Sequence, residues 1–192
     1  MWFLDPILCR ERKASCARRR RRVAPRVRRL GAIVVCVVAL WSGASDVRAK
    51  VDAGAFVPDL TTLALEGELP TLPGRVVLLD VWASWCAPCK ASFPALSALQ
   101  REFGSEGLVV IGVSVDRRER DFRAFVQRMR PGFAVLRDSN QQFAETFAPP
   151  VMPTTYLIDR QGRVRGVHTG FHGDRTIEAW RVKIRELLEE SS

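Results

Sequence analysis

The chain has 192 residues, five cysteines and a formal net charge of +9. Residues 1–49 hold 12 Lys and Arg against 3 Asp and Glu, and residues 50–192 hold 18 of each class, so the excess charge lies entirely in the first 49 residues. A nucleic-acid-binding domain carries its own basic face, so no nucleic-acid partner is expected. Only Cys86 and Cys89 lie beyond residue 36, which excludes a disulfide-rich scaffold.

The first 49 residues have the pattern of an export signal. Consecutive arginines at 18–22 precede a stretch of 16 uncharged residues, 30–45, and small residues follow up to Ala49. Cleavage would release the domain, and an uncleaved segment 30–45 would tether it to the membrane. The stretch is shorter than the ~20 residues that usually span a bilayer, which favours cleavage. Under both alternatives the arginines stay cytoplasmic, so the domain is expected outside the cytoplasm, in a bacterial periplasm.

Residues 50–58 are interpreted as a linker and residues 59–192 as one folded domain. The predicted elements in chain order are a strand over 75–83, a helix over 87–103, a strand over 108–115, a helix over 119–129, a strand over 133–136, a helix through 147 with Ser139 as its N-cap, two hairpin strands over 154–158 and 163–169, and a helix over 176–190. This order predicts a three-layer α/β fold, in which helices cover both faces of a central mixed sheet. The parallel strands come first and an antiparallel hairpin comes last.

Cys86 and Cys89 stand two residues apart where the first strand meets the first helix. That spacing places both sulfurs on one face of the helix start, where they can close and reopen a disulfide. Because a helix N-terminus favours an anion, we expect Cys86 to be the exposed nucleophile that attacks a substrate disulfide. Cys89 is then the more buried thiol that resolves the mixed disulfide. Two inert core thiols are the alternative interpretation.

Four further residues, Asp80, Trp85, Met152 and Pro153, are candidates for the same site. Asp80 interrupts an apolar strand, which predicts a buried carboxylate that accepts the proton of Cys89; the alternative is a solvated position on an edge strand. A cis bond before Pro153 would place the Met152 backbone beside the sulfurs, where an extended substrate can pair with it. The alternative is a proline that only begins a strand. Trp85 is expected to shield the surface around the cysteines.

Together these motifs resemble the thioredoxin superfamily. The sequence WCAPC at 85–89 is similar to that family's active-site motif, Asp80 matches its buried aspartate in spacing, Pro94 matches its helix kink, and Met152-Pro153-Thr154 resembles its cis-proline turn. The added helix and strand at 119–137 resemble the TlpA/ResA-like branch of extracytoplasmic proteins. The chain departs from that branch at two positions. Ser92 occupies a position where the branch frequently has an acidic residue, and Asp80 occupies one where it frequently has asparagine. The residue that takes the cysteine proton is therefore expected to be arranged as in thioredoxin itself.

The resemblance implies a protein-disulfide reductase that works without a cofactor. Its implied partners are substrate proteins with disulfides or thiols and a membrane thiol electron donor, with apocytochrome or copper-site cysteines as targets. A copper-delivery protein is the alternative from another class, with Cys86, Cys89 and either His168 or His172 as ligands. A thiol peroxidase is not expected, because the sequence lacks the Pro-x-x-x-Thr-x-x-Cys arrangement of that family.

Overall fold

The computed structural model describes residues 51–190. Its elements in chain order are a short 3-10 helix Leu60–Leu63, β1 Val76–Trp82, α1 Ala87–Phe103, a second 3-10 turn Gly104–Glu106, β2 Leu108–Ser114, α2 Glu119–Met129, β3 Ala134–Arg137, α3 Gln142–Phe147, β4 Thr154–Ile158, β5 Val164–Thr169 and α4 Asp174–Glu189. Each helix and strand predicted from the sequence is present, with small differences at the ends. The export signal, with its apolar stretch 30–45, lies outside the described residues. Within residues 51–190 no helix is long and apolar enough to cross a membrane.

The five strands form one mixed sheet in the order β3-β2-β1-β4-β5. The strand β1 pairs in parallel with β2 and antiparallel with β4. The outer pairs are β2 with β3, which is parallel, and β4 with β5, which is antiparallel. The expected α/β fold with a mixed sheet is therefore confirmed, and β1, which leads into the cysteine motif, is its central strand.

Both faces of β1 are buried, and each face packs against different elements. Leu78 and Trp82 belong to an apolar cluster with residues of α1, α2 and α4. Leu79 and Val81 belong to a second cluster with α3 and the segment 51–63. Successive side chains of a strand point to opposite faces, and both faces of β1 are covered, so all its residues except Asp80 are apolar.

The segment interpreted as a linker packs onto the domain in its described part. The amide of Gly54 donates to the carbonyl of Val164 at 2.8 Å, and the amide of Val164 donates to the carbonyl of Ala55 at 2.8 Å. Val51 is buried among the residues of the second cluster. The interpretation as a free linker does not hold for residues 51–57, because this segment satisfies backbone groups that the edge strand β5 would otherwise expose.

The N-terminus of α3 is capped by Asp138. Its carboxylate is fully buried and accepts hydrogen bonds from the amides of Phe143 at 3.2 Å and Ala144 at 2.8 Å. The prediction of Ser139 as the N-cap is wrong, because the chain makes a further turn through Gln141, which has a left-handed φ of 65°, before the helix begins. The cap therefore comes from a residue that lies further from the helix along the chain.

The Asp138→Ala variant is expected to lower the free energy of unfolding by about 2 kcal/mol, because two amides at a buried helix start lose their acceptor. Urea unfolding at neutral pH measures this change. The matched control is Ser139→Ala, which leaves those amides paired and is expected to change stability by less than about 0.5 kcal/mol. Equal losses in the two variants would contradict the assignment of the cap.

Candidate active site

Cys86 and Cys89 lie where β1 passes into α1, and a disulfide joins them, with their Cα atoms 5.3 Å apart. Cys86 is the N-cap residue of α1, and its Sγ accepts a hydrogen bond from the amide of Cys89 at 3.2 Å. Pro88 occupies the first turn of the helix, where its missing amide hydrogen leaves no intrahelical acceptor unpaired. The predicted cysteine pair at a helix start is confirmed.

The two sulfur-bearing residues differ in their access to solvent. Cys89 is fully buried and Cys86 is 5% exposed, and both belong to the apolar cluster between α1 and the sheet. The prediction that Cys86 is exposed is wrong for the disulfide form, because its sulfur turns toward the amide of Cys89. Cys86 is nevertheless the member of the pair that keeps accessible surface, so a substrate can approach the disulfide only from its side.

Apolar side chains and an unpaired backbone segment surround the pair. Trp85 is 67% exposed and Val151 is 51% exposed, which is unusual for large apolar side chains. Met152 packs against the cluster that contains both cysteines, and its peptide bond to Pro153 is cis. The carbonyl of Pro153 accepts from the amide of Gly170 at 2.8 Å, whereas within residues 51–190 the Met152 backbone forms no hydrogen bond.

The loop that carries Trp85 is attached to the end of β2 through Asp116. This carboxylate accepts hydrogen bonds from the amide of Ser84 at 2.8 Å, the hydroxyl of Ser84 at 2.9 Å and the hydroxyl of Ser114 at 2.8 Å. The sequence interpretation did not include Asp116 in the site. Asp116, two residues after the last residue of the apolar strand β2, was the signal that could have indicated it, because the carboxyl ends of the parallel strands β1 and β2 meet at one edge of the sheet.

Asp80 is fully buried at the centre of β1, on the sheet face that α1 covers. The edge-strand alternative is therefore wrong. Thr155 Oγ1 donates a hydrogen bond to Asp80 Oδ1 at 2.7 Å, and Oδ2 has no partner among the described residues. Burial raises the pKa of Asp80 from 3.8 to about 7, although the hydrogen bond from Thr155 acts in the opposite direction. This carboxyl therefore gains and loses its proton near neutral pH.

Thr155 is the residue that the sequence interpretation missed most clearly. It lies 75 positions from Asp80 along the chain, and the antiparallel pairing of β4 with β1 places it directly opposite. A threonine in a β-strand is ordinary, so no local sequence signal indicated the contact. The pairing register alone brings the hydroxyl to the carboxylate.

The two histidines of the copper alternative lie on β5 and in the loop after it. His168 Nε2 is 3.1 Å from Thr176 Oγ1, and the ring centroids of His168 and His172 are 6.5 Å apart. In the part of the chain that the structure describes, no three His, Cys, Asp or Glu side chains are grouped closely enough to hold a metal ion. The copper alternative thus finds no third ligand among these residues.

Comparisons with known proteins give a consistent result. The model of the AhpC/TSA family matches residues 53–167. The thiol-disulfide oxidoreductase ResA of Bacillus subtilis is 31% identical over 132 residues, which cover 69% of this chain and 73% of ResA. A solved structure of a putative thiol:disulfide interchange protein DsbE from Chlorobium tepidum is 34% identical, with a TM-score of 0.66, and the match covers 72% of this chain and 99% of that one. The exposed lipoprotein thioredoxin Etrx1 from Streptococcus pneumoniae is 30% identical, with a TM-score of 0.54, over 60% of this chain and 87% of that one.

Proposed function

Because the chain belongs to the AhpC/TSA family and is a thiol–disulfide oxidoreductase of the ResA/DsbE type, we propose that it reduces disulfides of substrate proteins outside the cytoplasm. The observation that carries the proposal is the Cys86–Cys89 disulfide at the start of α1, on the side of the sheet where Asp80 is buried. The cysteine pair is itself the redox group, so the reaction requires no cofactor. Cys86, Cys89 and Asp80 are the proposed catalytic residues.

The proposed reaction proceeds through two exchanges. The Cys86 thiolate attacks a substrate disulfide; the Cys86–substrate bond forms, the substrate's own bond breaks, and one substrate thiolate leaves. Asp80 accepts the proton of Cys89, and the Cys89 thiolate then attacks Cys86 Sγ. The Cys86–Cys89 bond forms, the mixed disulfide breaks, and the second substrate thiolate leaves. Two electrons pass to the substrate, whose thiolates take protons from water.

The surroundings of Cys86 support the reducing direction. A strong disulfide oxidant has a highly stabilised reduced form. Among the described residues, the Cys86 sulfur accepts one hydrogen bond, from the Cys89 amide, and the two residues between the cysteines, Ala87 and Pro88, have no side-chain donor. Apart from the helix start itself, no side-chain donor between the cysteines adds to the stabilisation of a Cys86 thiolate, and this absence supports a reductant over a strong oxidant.

Trp85, Met152 and Pro153 are the proposed substrate-binding residues. The unpaired Met152 backbone offers an amide and a carbonyl to an extended peptide, and Trp85 and Val151 provide apolar contacts beside it. Main-chain pairing of this kind is independent of sequence, so it suits an enzyme that must hold a target cysteine in line with Cys86.

The proposed location is supported by the signal pattern in residues 1–49 and by the similarity to Etrx1, which is an exposed lipoprotein. Outside the cytoplasm a reductant needs a supply of electrons, and we propose a membrane thiol protein as the donor. Cysteines of apocytochrome or of copper sites are the proposed targets, because they must be reduced before haem or metal can bind. Residues 30–45 provide the membrane tether if the signal remains uncleaved.

The direction of electron flow is tested by two assays on the same protein. We expect reduction of insulin disulfides with dithiothreitol as donor, and a reduction potential nearer that of thioredoxin, about −270 mV, than that of DsbA, about −120 mV. The second assay follows oxidation of a reduced, unfolded substrate, which is expected to be slow. Rapid oxidation together with a potential near about −120 mV would overturn the reducing direction. Tight stoichiometric copper binding to the reduced protein without insulin reduction would favour copper delivery instead.

A further inference from the structure

After the resolving step Asp80 holds the Cys89 proton, which either returns to Cys89 when the disulfide is reduced again or exchanges with solvent. The surroundings of the carboxyl decide whether a route to solvent exists. Buried residues of α1, β1 and β2 lie around Asp80, and among them Trp82 Nε1 is a buried donor without a partner within residues 51–190. On the α1 side, Cys89 and Phe93 are buried in the apolar cluster. On the β2 side, Gly112 is paired with Asp80, and the Trp82 indole lies so close to it that a Cβ there would be 2.9 Å from Trp82 Nε1. Along β1, Leu78 and Trp82 flank Asp80 on the same face, and both are fully buried.

The β4 side of Asp80 differs from the others, because the Thr155 hydroxyl contacts the carboxyl there and Thr155 also lines a cavity. Thr155 Oγ1 donates to Asp80 Oδ1 and retains lone pairs that can accept a hydrogen bond. Thr155 also lines a cavity of about 170 Å³ between β4, β5 and α4. A water molecule occupies about 30 Å³ in the liquid, so this cavity has room for several. His168 lies opposite Thr155 in the register, and Ala179 and Lys183 lie on the α4 side of the same cavity.

We propose that this cavity is the passage through which Asp80 exchanges its proton with solvent, and that the Thr155 hydroxyl is the relay between them. The proposal rests on the function proposed above. When Asp80 has taken the Cys89 proton, the Thr155 hydroxyl turns its hydrogen from Asp80 toward a water in the cavity. The protonated Asp80 then donates to Thr155 Oγ1 and loses its proton to it, while the original hydroxyl hydrogen passes to that water and from there to bulk solvent. One proton enters and one leaves, so Thr155 is unchanged after each turnover. Thr155 is a positioning residue, since it acts through Asp80.

The titratable and charged groups around this route are few. His168 of β5 and Lys183 of α4 line the cavity, and Cys89 of α1 is buried in the apolar cluster on the same face of the sheet. Lys183 Nζ is paired with Glu186 at 2.7 Å. Burial lowers the pKa of His168, with a smaller contribution from the neighbouring His172, which favours its neutral imidazole beside the cavity.

The test follows the Asp80 carboxyl carbon by ¹³C NMR in the full-length oxidised protein, because the signal reports both titration and proton exchange. In the native protein we expect one signal that moves with pH, which is the behaviour of fast exchange with solvent. Thr155→Val is expected to slow the exchange at least tenfold and to broaden or split the signal at its midpoint. It also raises the Asp80 pKa, since the hydrogen bond lowers that pKa. Thr155→Ser, which keeps the hydroxyl, is expected to restore both properties.

A second pair of variants distinguishes the effect of blocking the cavity from the effect of losing the Thr155–Asp80 hydrogen bond. Ala179→Phe places a ring at the cavity without altering the Thr155–Asp80 contact, and is expected to slow exchange several-fold at an unchanged midpoint. The matched control Val182→Phe adds the same ring at an exposed position of α4 that does not line the cavity, and should leave exchange fast. Fast exchange in both Thr155→Val and Ala179→Phe would overturn the proposal. A shifted midpoint in Thr155→Val with undiminished exchange would show that Thr155 only tunes the pKa, and would also overturn it.

Single-turnover reduction of a peptide disulfide by Asp80→Asn separates this proposal from the proposed function. If that variant resolves the mixed disulfide as fast as the native protein, the assignment of Asp80 as proton acceptor fails, whatever the NMR result. If the variant is slow while Thr155→Val and Ala179→Phe exchange normally, only the proposed passage fails.

Discussion

Cys86→Ser is expected to lower the rate of insulin reduction at least about 1,000-fold, because it removes the nucleophile. Cys89→Ser is expected to abolish turnover as well, but by another route. It should accumulate a covalent complex with its substrate, since the buried thiol that would release the mixed disulfide is missing. The difference follows from access: Cys86 keeps some exposed surface, whereas Cys89 is fully buried. The measurement is the yield of complexes on non-reducing gels, with their disappearance after dithiothreitol.

The same experiment can identify the substrate. Variants are best prepared with Cys9, Cys16 and Cys36 replaced by serine, so that the remaining thiol is the only one able to form a complex. A version of this background that retains both Cys86 and Cys89 is the control, and should reduce insulin without accumulating complexes. If Cys86→Ser traps as much substrate as Cys89→Ser, the roles assigned to the two cysteines are wrong.

Asp80→Asn is expected to stabilise the oxidised protein in a pH-dependent way. The folded-state pKa of Asp80 is raised from 3.8 to about 7, so the folded protein binds this proton more tightly than the unfolded chain does. The contribution of Asp80 to stability is therefore fully present below pH 3.8 and is lost as the pH rises to about 7, above which the loss is complete. The two pKa values correspond to a loss of about 4 kcal/mol.

Asparagine cannot ionise, so the variant escapes this loss. Relative to the native protein, we expect its free energy of unfolding to rise by about 4 kcal/mol between pH 4 and pH 8. Urea unfolding across this range measures the difference, with Asp174→Asn as the control at a solvated carboxyl of α4. A difference between Asp80→Asn and the native protein that does not change with pH would show that Asp80 does not titrate in this range.

The two expected effects of changing Asp80 have opposite signs. Removing the carboxylate makes the folded protein more stable above neutral pH, and it slows the resolving step of the proposed reaction. A buried charge that lowers stability is ordinarily eliminated unless it has a function. The combination of higher stability and lower activity in one variant would therefore be direct support for Asp80 as the proton acceptor.

Most of the secondary structure and the position of the cysteine pair could be predicted from the sequence, because the relevant signals are local. A continuous apolar run indicates a strand buried on both faces, as β1 is, and the helical spacing of apolar residues indicates α1 and α4. Once the boundary between β1 and α1 is located, Cys86 and Cys89 are placed at a helix start without any further information. Asp80 was recognised because a carboxylate within an apolar strand is itself a local irregularity.

Features that depend on strand order or on the path of a loop were beyond sequence reasoning. The N-cap of α3 was assigned to Ser139, the nearest suitable residue, whereas the extra turn through Gln141 gives that role to Asp138. The extent to which Cys86 is covered depends on the direction in which its sulfur turns, which no spacing rule predicts. Each of these outcomes is decided by packing between elements that are distant along the chain.

Hydrophobic periodicity and a two-residue spacing are properties of short segments, so the kinds of element, their order and the redox-active pair can be read without knowledge of the fold. How Asp80 can function depends instead on the packing of distant strands. Placing β1 at the centre of the sheet removes the carboxyl from water, and the register with β4 puts the hydroxyl of Thr155 against it. The pKa of a carboxyl depends on its exposure to solvent and on the donors around it, and here the donor is Thr155, which lies 75 positions away along the chain.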